Sequence, residues 1–362
     1  MYRRVTSLRL NSRKTRRDKM VRLGKSLAII GTLWCLVVTW AYMPSSALAE
    51  EKKSLSVHVS GLGSRTDASF YQSMYEGYLY IKEKYPNIKV GFSDLVPFSD
   101  TVSHLDTLAQ SGVDLVLTEL AFIEAAAQVA PKHPKTWFLV MNMMPDMMKG
   151  MPANVTAHSW RDEQGGYLCG VVAGLMTKSN KLGYIAGFDY PDIVKTGAGF
   201  LLGARSVNPK VSFSAVYTGS WTDVQKGYDA AKTMIASGVD VIIHFADDAG
   251  FGIIDAAKER KVWVIGEVLD QRKLAPELML TSYLVNHKKM FQVAVDDVLA
   301  KKMTQRVKFF GLQEGEEVIA PLNPKVPDDV RAKVEEIKEK MKSGELVVPV
   351  ILDSKKFDEL WK

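Results

Sequence analysis

The chain has 362 residues, with 47 Lys and Arg against 41 Asp and Glu, a formal net charge of +6. The excess sits at one end: residues 1–49 hold 10 of the 47 basic and 1 of the 41 acidic side chains, so the remainder carries 37 against 40, a net of −3. Bulk charge therefore gives no argument for nucleic-acid binding, and the length suffices for two lobes with separate cores.

The N-terminus reads as an export signal. Residues 1–26 are dense in Arg and Lys, 27–43 (LAIIGTLWCLVVTWAYM) form an uninterrupted apolar run, and Ala47-Leu48-Ala49 supplies a small-x-small cleavage site. Cleavage after Ala49 is expected, and Met20 is an alternative start. The competing reading is an uncleaved anchor, since about 17 apolar residues approach spanning length. Cys35 follows Trp34 rather than the small residue a lipid-attachment site requires. Only Cys169 survives cleavage, within YLCGVVAG, and reads as a buried, inert thiol.

From residue 50 onward β-rich runs alternate with helical patterns. Strands are predicted at 55–61, 89–94, 114–119, 136–142 and 154–160, with helices over 70–85, 101–111 and 122–130 between them. A helix over 163–178 opens a second series, with strands at 181–188, 211–219, 240–246 and 262–268 and helices at 193–206, 223–237 and 251–260. An extended segment at 280–286, a helix at 287–302 and a charged amphipathic helix carrying Val330, Val334, Ile337 and Met341 complete the chain. Near-continuous apolar strands alternating with helices imply parallel sheets covered on both faces. The two series predict lobe 1 over 50–158, lobe 2 over 159–283 and a return to lobe 1 over 284–362, with crossings near 157–161 and 282–287.

In such sheets ligands bind outside the carboxyl ends of the strands, so the segments just after strands are the ones to inspect. GLGSRTDASFYQSMYEG (61–77) has Thr66 where a dinucleotide fingerprint needs its third glycine, so dinucleotide binding is unsupported. Asp67 there is either a helix cap or a ligand contact. YTGSWTD (217–223) puts Trp221 in a loop, as a flat platform for a planar ligand or as interlobe packing. DVIIHFADDAGFGI (240–253) runs a buried strand into Asp247 and Asp248. Either aspartate can receive a ligand's N–H donors, and Asp248 can instead cap the next helix. EVLDQ (267–271) adds Glu267 and Asp270. No metal-ligand spacing, P-loop, G-x-S-x-G elbow or H-E-x-x-H helix is present, which leaves an enzyme without parts. Gly166, Gly170 and Gly174, spaced by four, predict close helix packing.

These segments, with EQGGYLCGVVAG, KLGYIAGFDYPDI, GFLLGARSVNPKV, VIGEVLDQRKLAP, LTSYL and EGEEVIAPLN, resemble in order and spacing the basic membrane protein family of ABC-transporter substrate-binding proteins, which includes purine-nucleoside receptors. The resemblance implies a type I periplasmic-binding-protein fold, two Rossmann-like α/β lobes joined by a three-crossing hinge. It further implies an exported monomeric receptor, without enzymatic activity or cofactor, that hands a purine base or nucleoside to an ABC permease. By motif position, Tyr75 and Trp221 would sandwich the base, Asp67 would contact it, and Asp247, Asp248, Gly250 and Asp270 would line the cleft.

Five positions depart from the family pattern. Tyr71 replaces the usual Asn, and Asp247-Asp248 replace two glycines. Val268 and Val285 stand where an aspartate and a lysine help hold ribose in nucleoside binders. Those departures point toward a free base, with Tyr71 filling part of the sugar space. The rival readings are a ligand-binding sensor for a membrane signalling protein and a periplasmic nucleoside hydrolase.

Overall fold

The computed structural model describes residues 54–362, and the expected export signal lies outside them. Among the described residues no helix is long and apolar enough to cross a membrane. The first half runs β1 (Ser56–Ser60), α1 (Phe70–Lys84), β2 (Lys89–Ser93), α2 (Thr101–Gln110), β3 (Leu115–Thr118), α3 (Ile123–Val129), β4 (Trp137–Met141) and β5 (Val155–Trp160). The second runs α4 (Asp162–Met176), β6 (Lys181–Ala186), α5 (Pro191–Val207), β7 (Ser212–Tyr217), α6 (Val224–Ala236), β8 (Val241–Phe245), α7 (Ala249–Arg260), β9 (Trp263–Gly266) and β10 (Met279–Ser282). α8 (His287–Leu299), β11 (Val307–Phe310), α9 (Asp328–Lys342) and α10 (Ser354–Glu359) follow.

The strands form two sheets, ordered β11-β5-β4-β3-β1-β2 and β10-β9-β8-β6-β7. Every strand pairing within them is parallel. The apolar runs explain this: Leu115, Val116 and Leu117, and likewise Val241, Ile242 and Ile243, are fully buried, so each central strand is covered on both faces. Apart from β11, the two sheets repeat one strand order.

The glycine spacing in α4 has the expected consequence. A Cβ on Gly166, Gly170 or Gly174 would run into the backbone of α5 at Thr196, Phe200 or Ala204, so the two helices approach almost backbone to backbone. Cys169 is buried in the same helix, and burial pushes its thiol well above the ordinary range. Helix starts are fixed locally: Asp223 Oδ1 accepts from Lys226 N at 3.1 Å, and Asn286 Oδ1 accepts from Lys289 N at 3.1 Å.

The chain passes between the sheets three times: at 160–162, at 283–286, and after β11, which pairs with β5 in the first sheet. The segment 284–362, expected to return to lobe 1, is divided. α8 packs on α1, whereas α9 packs on α4 and α10 on α5. The buried face of α9, carrying Val330, Val334, Ile337 and Met341, is the one its periodicity predicts; its partner is the second lobe. β11, short and with Lys308 in its middle, is a strand the sequence reading lacks.

Candidate functional site

In both sheets the strand order reverses beside the first strand, between β1 and β3 and between β6 and β8. Loops leaving the strands on either side of such a switch diverge and open a crevice at the carboxyl ends. A cavity of about 320 Å³ lies there, bounded by both lobes. The first lobe supplies Glu119, next after β3, Asn142, next after β4, and Trp160, the last residue of β5. The second supplies Asp247 after β8, Glu267 and Val268 after β9, and Tyr283 after β10. The first turns of α1 and α5 add Phe70, Tyr71 and Asp192.

The glycines of GLGSRTD seat an aromatic ring, not a phosphate. A Cβ on Gly61 would stand 2.9 Å from Tyr71 Cδ1, and one on Gly63 would overlap the same ring. Tyr71 thus lies against the loop and donates from its hydroxyl to Glu119 Oε2 at 3.0 Å. The other Glu119 oxygen accepts from Leu62 N at 2.8 Å. Burial pushes the Glu119 carboxyl up to about 7; these two hydrogen bonds oppose the rise, and Asp192 and Asp67 add to it.

Asp67 is 2% exposed and spends both oxygens on the backbone of α1. Oδ1 accepts from Ser69 N and Gln72 N, and Oδ2 from Tyr71 N, each at 2.9 Å. Of its two sequence readings the structure displays the cap, and Asp67 is outside the cavity wall. Burial raises its pKa to about 6 against those three bonds.

Facing it, Glu267 Oε1 accepts from Asp247 N at 2.8 Å and Ala246 N at 3.0 Å. These bonds hold the turn in which Asp247 adopts φ 47°. The Asp247 carboxyl is raised well above its ordinary range by burial and then by the charges of Glu267 and Asp67. Asp192 is raised by burial and by Asp162, with Lys195 pulling the other way. Lys195 itself is 1% exposed; its Nζ lies 2.7 Å from Asp162 and donates to Trp160 O at 2.8 Å. Burial works against the Lys195 charge, but Asp162 and Glu163 outweigh it and hold its pKa above the usual value. Tyr283 also donates to Asp162, so one carboxylate ties together two of the three crossings and α5.

Of the residues expected to touch ligand, the cavity wall contains Tyr71, Trp221 and Asp247. Trp221 packs on Phe188 and Tyr190, ring centroids 5.4 and 6.0 Å away, and against Gly187, where any Cβ would collide with the indole. Tyr75 is not in the wall. It stacks on Tyr78 at 5.5 Å with the Arg65 guanidinium 5.0 Å from its ring, and Phe70 occupies the cavity from that helix instead. Asp248 heads α7 without a side-chain capping bond and is outside the wall. Gly250 makes room for His244, whose ring would lie 2.7 Å from a Cβ there. Asp270 Oδ1 accepts from Arg272 N at 3.1 Å and caps a single 3₁₀ turn. Val268 and Val285 both line the cavity, joined by Val285 N donating to Val268 O at 3.0 Å.

Glu119, Asn142 and Asp192 are wall residues the sequence reading does not single out. The first two each directly follow a strand, the position the strand-end rule marks. Among the described residues no group of three or more His, Cys, Asp or Glu is placed to hold a metal ion.

The structure is similar to solved solute-binding proteins of ABC transporter systems. One from Aeropyrum pernix matches with a TM-score of 0.75 at 23% identity, over 84% of this chain and 96% of that one. One from Conexibacter woesei matches with a TM-score of 0.69 at 24% identity, over 83% and 100%. These likenesses establish the type I periplasmic-binding-protein fold. In sequence, the chain is 31% identical over 320 residues to the CD4+ T-cell-stimulating antigen of Listeria innocua, covering 80% of this chain and 87% of that protein. It is 28% identical over 310 residues to a purine-binding protein of Brucella abortus, covering 85% and 78%. Basic membrane protein B of Borreliella burgdorferi is 33% identical over 244 residues, covering 65% and 72%. Residues 52–351 match the family described as ABC transporter substrate-binding protein, PnrA-like, and the chain belongs to that family of small-molecule binding proteins.

Proposed function

We propose that the protein is an exported, monomeric receptor that closes on a purine-type ligand, a free base in preference to its nucleoside, and presents it to an ABC permease. The observation that carries this reading is the composition of the cavity lining. Flat aromatic side chains from both lobes, Phe70 and Tyr71 on one side and Trp221 on the other, share the cavity with carboxylates that accept N–H donors. Such a lining suits a planar heterocycle with N–H groups along its edge. The similarity to the Brucella abortus protein agrees with it. The preference for a base rests on Val268 and Val285, apolar wall residues at the positions where ribose-holding polar groups are expected; a sugar's hydroxyls would be desolvated there without partners. Tyr71, held against the glycine loop, takes up further room.

Calorimetric titration of the purified protein with purine bases and their nucleosides tests the reading. A base is expected to bind at least tenfold tighter than its nucleoside, and Trp221→Ala to weaken binding about tenfold or more. Equal or reversed affinity removes the argument from the valines. An unchanged affinity in Trp221→Ala removes the stacking role. A ligand-dependent signalling partner encoded in place of a permease would favour the sensor reading.

A further inference from the structure

The polar groups of the cavity wall are unevenly divided between donors and acceptors. Glu119, Asp162, Asp192, Asp247 and Glu267 all line it, and among the described residues no Lys, Arg or His does. Carboxylates alone would define only an acidic hollow, but three side chains, Asn142, Asp192 and Trp160, have buried polar atoms whose hydrogen-bonding capacity the protein leaves unused. Asn142 is 8% exposed, lines the cavity, and donates from Nδ2 to Asp192 Oδ2 at 2.9 Å. An ionised carboxylate accepts only, so this bond fixes the amide orientation and turns Oδ1 away from Asp192. Asn142 Oδ1 and Asp192 Oδ1 are both buried without a hydrogen-bond partner. Trp160, 4% exposed and also in the wall, has an indole N–H without one.

Buried polar atoms are ordinarily paired, and each left unpaired costs stability. Here the two orphan acceptors lie on opposite lobes, Asn142 after β4 and Asp192 in the first turn of α5, held together by their mutual bond. An amino group has two hydrogens and can satisfy one acceptor with each; a carbonyl oxygen at the same place would meet lone pairs. The single orphan donor, Trp160 Nε1, suits the unprotonated ring nitrogen beside such an amino group.

We infer that Asn142 and Asp192 form a two-lobe reader for an exocyclic amino group, so that this site selects amino-substituted heterocycles over their oxo counterparts. The inference rests on the heterocycle reading of the cavity and assigns it an edge. Asp192 also faces Asp162 from α4, Glu119 from the end of β3 and Lys195 on its own helix. The selection is therefore read at pH 8, where a protonated carboxyl is least available to donate to an oxo group.

The test is competitive titration of the purified protein at pH 8 with two pairs, adenine against hypoxanthine and cytosine against uracil. At least a tenfold preference for the amino member is expected. In Asp192→Asn, whose amide can donate, the preference should fall about tenfold or reverse, with thermal melting verifying that the variant is folded. Equal affinity within a pair that binds, or an unchanged ratio in Asp192→Asn, overturns the reader. Silence from both purines with cytosine preferred over uracil would remove the purine reading and keep the reader. Silence from all four would remove both.

Discussion

The two lobes share a strand order but use their carboxylates differently. In the first lobe Asp67 and Glu119 are spent on the lobe's own framework: together they accept four backbone N–H groups and one tyrosine hydroxyl. In the second lobe Glu267 is spent in that way, but Asp192 keeps a free oxygen and Asp247 stands at a turn in the wall. A shared topology therefore fixes where the cavity opens, and the allotment of hydrogen bonds at the strand ends decides which polar groups in its wall remain unspent.

The largest effect is expected at the hinge. Lys195→Met leaves Asp162 buried without its cation, and a stability loss of about 3–5 kcal/mol is expected. Denaturant unfolding showing less than about 1 kcal/mol would mean that Asp162 is held by Tyr283 alone. Asp67→Ala comes next: three backbone donors lose their acceptor, and roughly 2 kcal/mol should disappear from the unfolding free energy. A loss confined to ligand affinity, with melting unchanged, would instead make Asp67 a contact residue.

Glu119 makes the first lobe's stability depend on pH. Its folded pKa is raised from 4.5 to about 7, so its contribution to stability is fullest below pH 4.5 and is lost as pH rises toward about 7. Glu119→Gln should melt later than the parent at pH 8 by an amount equivalent to roughly 1–3 kcal/mol, with the gap closing by pH 4.5. Parallel melting curves across that range would contradict the burial that sets the shift. The smallest effect belongs to Tyr75→Leu, where ligand affinity should stay within about twofold, because that ring faces Tyr78 and Phe92. A tenfold loss would return Tyr75 to the site.

The β-rich runs were legible because a strand covered on both faces needs an unbroken apolar run, as in Leu115–Thr118 and Val241–Phe245. β11 was not, because its four residues pair only with β5 at the sheet's edge and accommodate Lys308, whose ammonium reaches Asp297. The cavity's location was legible from the strand-end rule, and the membership of its wall only partly so. Tyr71 and Tyr75 lie four apart and so share a face of α1, but one helical turn of about 5.4 Å carries the second past the cavity. Asn142 and Asp192 escaped because their meeting joins residues fifty positions apart on different lobes. That juxtaposition is a property of packing, and neither local pattern announces it.

The late arrival of β11 has a consequence for how the chain is made. β5, buried along its whole length, is flanked by β4 on one side and by β11 on the other. A nascent chain that has produced β5 still lacks about 150 residues, including the entire second sheet, before that flank can be closed. Until then β5 is a bare sheet edge, a template for pairing with other chains. Neither lobe can be cut out as one continuous fragment with its sheet complete and its helices in place, and a truncation ending near residue 160 should aggregate rather than fold as a half-receptor.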